Sequence, residues 1–285
     1  MMDSRADPIA TWAVHQAALE ALARSLDALR KAGIEPLVVK GMVLAYQLYS
    51  DVAQRPLSDV DLRVRRREYL PAVRALLARG WRIDYTSKQL GAIGFVVGRA
   101  LVEIECTVGP PGLCGLGIAR MTDRARPRRL PNGITVLEPD VVDHAILLAV
   151  NAFKDKLVDC PRWSVDDLVA IASHPEFDVD RFLARVSESE TKTVVWIVAN
   201  WLAGQRRSTV WRAIRDRIGS RPPRRAYAWA FQRLVERGPR SAAARVVARV
   251  GSDRLFSRGL ALGASGIGSM VSWIGARVHA TACPA

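Results

Sequence analysis

The segment Ser58-Asp59-Val60-Asp61-Leu62-Arg63-Val64 constrains this chain more than any other. Residues 59–64 alternate polar with apolar, the period of a β-strand, so successive side chains leave opposite faces of a sheet. Val60 and Leu62 are then free to pack into a core, and the carboxylates of Asp59 and Asp61 leave the other face together. Two like charges so close raise each other's proton affinity unless a cation lies between them. Magnesium is a hard ion that accepts one or two carboxylates together with substrate phosphates. The pair therefore reads as a platform for a metal-bound nucleotide.

The flanking residues sharpen this reading. Residues 36–39 (PLVV) form a short buried-strand run that breaks at Lys40-Gly41, directly before a helical stretch over 42–49. Glycine at such a break lets backbone N–H groups approach an anion at a helix N-terminus. Residues 50–58 read as a loop from their Pro, Ser and Asp content. Downstream, Glu103 and Glu105 alternate within a strand-like run and share one face. A strand–glycine–helix, an Asp-x-Asp strand and a later acidic strand together describe a metal-dependent phosphate-transfer site.

Around the motif, periodicity places a helix over 10–32, closed by Gly33, and another over 67–79, closed by Gly80. Strands are expected over 81–85, 94–98 and 101–108. The stretch from 109 to 133 reads as an irregular connection followed by a basic loop. From 139 onward helical patterns dominate, over 139–157, 163–174, 179–189, 191–204, 208–218, 224–237 and 241–250. This order describes a sheet domain of the α/β or α+β class followed by helices. The expected division is 1–135 for the sheet domain, 136–205 for a helical continuation of the same module, and 206–285 for a basic helical C-terminal region.

At 49% hydrophobic and 25% charged residues, the 285-residue chain is neither disordered, nor collagen-like, nor a disulfide miniprotein. It carries 42 basic against 28 acidic side chains, a net charge of +14. Residues 201–258 hold 15 arginines and three acids, interleaved with Trp211, Tyr227, Trp229 and Phe231. Such a segment suits a polyanion, either RNA or an acidic peptide, although arginine-biased coding gives the same surplus. Cys106, Cys114, Cys160 and Cys283 form neither a disulfide framework nor a zinc pattern, so a cytoplasmic protein is expected. The N-terminal residues lack the apolar core and cleavage site of a secretory signal. Residues 259–276 carry no charge but are diluted by glycine and serine. They read as a terminal helix packed on the body rather than as membrane contact. His144 reads as a core histidine in an apolar helix, and Asp166-Asp167 as a helix cap.

The stretch VVKGMVLAYQLYSDVAQRPLSDVDLRV (38–64) resembles the Lys-Gly … Arg-Pro-x-Ser-Asp-x-Asp-Leu-x-Val signature of uncharacterised bacterial nucleotidyltransferases of the DNA polymerase beta superfamily. The likeness continues through 123–150 and 162–171 and covers about residues 10–205. It implies an α+β fold: a polymerase-beta-like nucleotidyltransferase mixed sheet with flanking helices, followed by an all-helical C-terminal part. It also implies transfer of a nucleoside monophosphate from an NTP, with ATP the expected one, to a hydroxyl of a peptide, tRNA or small-molecule acceptor. Tailoring of a ribosomal peptide product is among the roles it allows.

Two Mg2+ ions would be held by Asp59, Asp61 and Glu103, with attacking and leaving oxygens in line. The family's third carboxylate sits in an Asp-Leu-His-like motif. Here Glu103 takes the carboxylate position and Glu105 replaces the histidine, so either is a candidate metal ligand, and the one nearer the acceptor is the candidate proton acceptor. Lys40, Gly41, Arg55 and Ser58 fall on positions expected to hold triphosphate oxygens. Asn151 stands where many relatives have a histidine. Attack at the γ-phosphorus instead would make the chain a kinase, and the fold without catalysis would be a nucleic-acid-binding protein.

Overall fold

A computed structural model describes residues 8–87, 91–110, 112–155, 162–205, 208–238, 241–248, 251 and 253. Helix α1 (Pro8–Lys31) leads to strand β1 (Leu37–Val39), and α2 (Gly41–Leu48) follows it after one turn residue. A short 3-10 turn at Val52–Gln54 precedes β2 (Val60–Arg63), and a second at Arg66–Glu68 opens α3 (Tyr69–Leu77). Strands β3 (Arg82–Ser87), β4 (Ala92–Val97) and β5 (Ala100–Glu105) come next. They are followed by α4 (Ile118–Asp123), β6 (Arg126–Arg129) and β7 (Thr135–Glu138). The rest is helical: α5 (Val141–Lys154), α6 (Arg162–Ile171), α7 (Val179–Glu188), α8 (Lys192–Gln205), α9 (Thr209–Ile218), α10 (Pro222–Arg237) and α11 (Ala242–Val247). Asp140, Asp178, Ser208 and Ser241 cap helix starts by accepting backbone N–H groups, as short polar side chains do at that position.

The strands form one sheet in the order β3-β4-β5-β2-β1-β7-β6. β2 runs parallel to β5 and β1 parallel to β7, and the remaining pairs are antiparallel. The expected class is what the chain adopts: a mixed α+β sheet with flanking helices and a helical C-terminal part. One face of the central strands presents Val38, Val60, Leu62, Val102 and Ile104 to Leu22, Leu26 and Leu29 of α1 and Leu76 of α3. On the other face, Leu37 and Val39 join a second core with Val142, Ile146 and Phe153 of α5. Cover on both faces explains why β2 is buried at all four positions rather than at alternate ones. Asp61 and Arg63 lie opposite Val39 and Leu37 in the antiparallel register and so share their face.

The stretch read as an irregular connection and basic loop, 109–133, instead holds α4 and β6, and β6 forms a hairpin with β7 just beyond it. β6 reads Arg-Pro-Arg-Arg and is largely exposed at the sheet edge. Charge and proline are what protect an edge strand, and they erase the apolar alternation that betrays an inner one. β7 pairs Leu137 with Leu37 of β1, so the sheet continues to Glu138.

The later helices pack onto α5 and α6. Buried Trp211 donates its indole N–H to the Leu168 carbonyl at 2.8 Å, and Phe231 stacks on Phe153 with centroids 4.7 Å apart. Among the described residues, no helix is long and apolar enough to cross a membrane. The stretch 259–276 lies outside the described residues, as do Cys160 and Cys283; Cys106 and Cys114 are free thiols.

Candidate active site

The register of the central strands assembles the site. Parallel pairing of β2 with β5 sets Asp61 beside Glu103 and Arg63 beside Glu105, and antiparallel pairing brings the end of β1 to Asp61. Ligand oxygens of Asp59, Asp61 and Glu103 all lie within 4.8 Å of one another. The Lys40 ammonium sits 2.5 Å from Asp61 Oδ1 and 3.9 Å from Glu103 Oε2. Arg63 Nη2 lies 2.8 Å from Glu105 Oε1, and Nη1 lies 3.8 Å from Asp61 Oδ1. Arg63 is 2% exposed, and its Nε and Nη1 have no hydrogen-bond partner among the described residues. Ser58 donates to Asp59 Oδ1 at 2.7 Å. The Tyr85 hydroxyl donates to Glu103 Oε1, its ring lying over Gly94, where any side chain would collide with it.

Four carboxylates thus face two cations, leaving two negative charges in excess in a largely buried cluster. Burial, then the charge of Asp61, raises the Asp59 pKa against the opposing pull of Lys40. Burial and a hydrogen bond with Glu105 raise that of Glu103. For Lys40, burial works to lower the pKa, but Asp61, Glu105 and Glu103 outweigh it and the net shift is upward. An all-oxygen group of three crowded carboxylates with uncompensated charge fits a hard divalent cation.

Beside the carboxylates, the Lys40–Gly41 turn opens α2. Lys40 has φ 55° and ψ −137°, a conformation that favours glycine and costs a lysine roughly 1–3 kcal/mol. Its carbonyl accepts from the N–H groups of Val43 and Leu44, and its own N–H donates to His144 Nε2 at 2.9 Å. His144 is 1% exposed, and burial, followed by Arg63, Lys40 and Arg55, pushes its pKa down to about 3. The imidazole is therefore neutral and its Nε2 is available as an acceptor. At Gly41 a Cβ would come within 2.7 Å of Leu57 Cδ2 and 3.0–3.1 Å of the Arg55 guanidinium nitrogens, so a larger residue would have to displace both side chains.

Arg55 is placed differently from Lys40. Its guanidinium is buried and bidentate on Asp167, with Nε 3.0 Å from both carboxylate oxygens and Nη2 2.8 Å from Oδ2. Nη1 donates to the Pro56 carbonyl, and Arg55 O accepts from the His15 ring at 2.9 Å. Asp167 is fully buried and also accepts from Tyr49 at 2.7 Å. The structure accordingly gathers Asp59, Asp61, Glu103 and Lys40 into one cluster, with Glu105 held by Arg63 behind it. Arg55 is not hydrogen-bonded to that cluster; it lies against Gly41 and is bound to α6. Asn151 contacts Asp155 in its own helix at 3.3 Å.

Sequence reasoning did not find Tyr85, Arg63, His144 or Asp167 as parts of this assembly. The burial expected for His144 is present, but so is its bond to Lys40, 104 positions away. The one local hint for Asp167 is that two adjacent acids follow Trp163 on a helix whose other face is apolar.

No curated protein matches the chain. Among solved structures, the solution structure of the antibiotic-resistance factor ANT(2'')-Ia is similar over 60% of this chain and 90% of that chain, with 13% identity and a TM-score of 0.43. The crystal structure of ANT(2'')-Ia in complex with adenylyl-2''-tobramycin aligns over 60% of this chain and 95% of that chain, again with 13% identity and a TM-score of 0.43. The family described as uncharacterised nucleotidyltransferase matches residues 10–204, a span that contains every residue of the site above. The chain belongs to this family of uncharacterised nucleotidyltransferases and is a transferase.

Proposed function

We propose that the chain transfers a nucleoside monophosphate from a metal-bound NTP to a hydroxyl of a separate acceptor. The observation that carries this reading is the cluster of Asp59, Asp61 and Glu103 directly beside the strained Lys40–Gly41 turn at the start of α2. Asp59, Asp61 and Glu103 would hold Mg2+, which supplies positive charge at the attacking and leaving oxygens and orients them. Glu103 is assigned as the third ligand in preference to Glu105, because the Arg63 guanidinium already neutralises Glu105.

Gly41 and Lys40 are assigned to the triphosphate. The turn presents backbone N–H groups at a helix start, and the ammonium follows the phosphates as a compact point charge. Ser58 orients Asp59 through its hydroxyl. In the reaction the acceptor oxygen bonds to the α-phosphorus, the bond from that phosphorus to the bridging oxygen breaks, and pyrophosphate leaves with the electron pair. The acceptor proton passes to Glu103, a carboxylate whose proton affinity burial raises. ATP is the NTP this reading takes first. The exposed Arg212 of α9, Arg221 at the N-cap of α10, and Arg225 and Arg237 of α10 support a polyanionic acceptor such as tRNA over a cationic one.

The test incubates the full chain with magnesium and ATP labelled at the α or the γ position, against RNA, peptide and small-molecule acceptors. Label transferred from the α position is expected. Label transferred from γ alone makes the protein a kinase. Absence of ATP binding, together with unchanged behaviour of Asp59→Ala and Asp61→Ala, overturns the enzymatic reading.

A further inference from the structure

Two buried contacts from the helical half of the chain converge on the Lys40–Gly41 turn. From α5, His144 Nε2 accepts the Lys40 N–H at 2.9 Å, and this bond fixes the peptide plane preceding the residue with positive φ. From α6, Asp167 grips Arg55 with three bonds of 2.8–3.0 Å, and the held guanidinium fills the space beside Gly41. The same arginine begins the Arg55–Asp59 loop, whose last two residues are Ser58 and the carboxylate Asp59. Backbone strain at a functional site persists only where the surroundings over-determine it. Here the surroundings are one neutral imidazole and one buried ion pair, His144 and Asp167 being drawn from residues 104 and 112 positions away from their partners.

We propose that His144, Arg55 and Asp167 are positioning residues that lock the Lys40–Gly41 turn in its phosphate-binding form, so that α5 and α6 are working parts of the nucleotide site. The inference rests on the nucleotidyl-transfer reading for its functional half and on geometry alone for its structural half. It assigns Arg55 a role beneath the turn, acting through Gly41 and the 55–59 loop, instead of direct contact with the triphosphate. Neutral, bidentate and fully desolvated contacts of this kind hold geometry without competing for the ligand's charge.

The experiment compares full-length wild type with His144→Leu, His144→Gln, Asp167→Leu and Asp167→Asn, each first checked for a wild-type circular dichroism spectrum. Gln places an amide oxygen near the position of Nε2 and keeps an acceptor for the Lys40 N–H, whereas Leu removes it. Hydrogen exchange over residues 38–45 is read without any nucleotide. Faster exchange in His144→Leu, restored in His144→Gln, supports the lock; unchanged exchange overturns it.

Binding of a non-hydrolysable ATP analogue with magnesium, and KM against kcat for ATP, test the functional half. His144→Leu and Asp167→Leu are expected to weaken binding about tenfold or more, and to raise KM with a smaller change in kcat. Gln at position 144 is expected to recover most of the loss, whereas Asn at position 167 keeps one acceptor but leaves Arg55 without its counter-charge and is expected to recover only part. A loosened turn with unchanged ATP binding overturns the coupling to the nucleotide site. A wild-type protein that binds no ATP removes the nucleotidyl-transfer reading, while hydrogen exchange still decides whether these residues hold the turn.

Discussion

Arg63 Nη2 lies 2.8 Å from Glu105 Oε1, with both side chains almost wholly buried. This pairing separates two glutamates that are chemically alike and only two positions apart. Glu103 stays with Asp59 and Asp61, while Glu105 serves as the counter-charge of an arginine that has few other partners. Glu103→Gln is therefore expected to cut transfer by about 100-fold or more, the scale of a lost acid–base group. Glu105→Gln should keep most of the activity but lose about 3–5 kcal/mol of stability, because it leaves the Arg63 charge buried without compensation. Label transfer and urea denaturation of both variants check this, and the opposite ranking of activities would assign the third ligand to Glu105.

Metal removal should act on stability in a pH-dependent way. The pKa values of Asp59 and Glu103 are raised by burial and by their acidic neighbours. A carboxyl raised on folding binds its proton more tightly in the native state, so its ionisation costs stability as pH rises from the unfolded value through the folded one. A divalent cation bound to the ionised pair offsets that cost. Saturating magnesium is expected to raise the melting temperature at pH 7–8, and the gain should shrink as the pH falls toward 4 and protons replace the metal. A magnesium effect independent of pH, or one retained in Asp59→Ala/Asp61→Ala, would place the ion elsewhere.

How much of this was legible in the sequence depends on how far apart the partners lie in the chain. Asp59 and Asp61 announce themselves because strand geometry converts a spacing of two into a shared face. The Lys40–Gly41 break is equally local. The residues that hold them are not local: Asp167 meets Arg55 and His144 meets Lys40 across 112 and 104 positions of chain, a proximity that only the tertiary fold creates. Arg63 looks like an ordinary polar strand residue until α5 covers its face and buries it. The β6–β7 hairpin escaped for a different reason. Arg128 pairs with Glu138 across the two strands, and the proline and arginines that suit an edge carry no strand-like alternation.

The strain at Lys40 can be measured apart from its charge. Lys40→Ala and Lys40→Gly both remove the ammonium from Asp61, and both should reduce transfer. Only glycine adopts φ 55°, ψ −137° freely. Lys40→Gly is therefore expected to be more stable than Lys40→Ala by about 1 kcal/mol, against glycine's usual disadvantage in the unfolded chain. Equal stabilities in chemical denaturation would mean that the turn relaxes once the lysine is gone.

The same turn is expected to make the protein acid-sensitive through His144. Burial and three neighbouring cations depress its pKa from 6.5 to about 3. The unfolded chain therefore takes up the proton first, and native stability falls as the pH drops from 6.5 toward 3, at about 1.4 kcal/mol per pH unit for this one group. His144→Gln keeps an acceptor for Lys40 but cannot titrate. Subtracting its stability from that of wild type at each pH cancels the carboxyl groups common to both proteins. The difference should be flat above pH 6.5 and should swing in favour of the variant as the pH falls to 4.5. Curves that stay parallel over this range would show that the imidazole is not held neutral, and the acceptor role at the Lys40 N–H would fall with it.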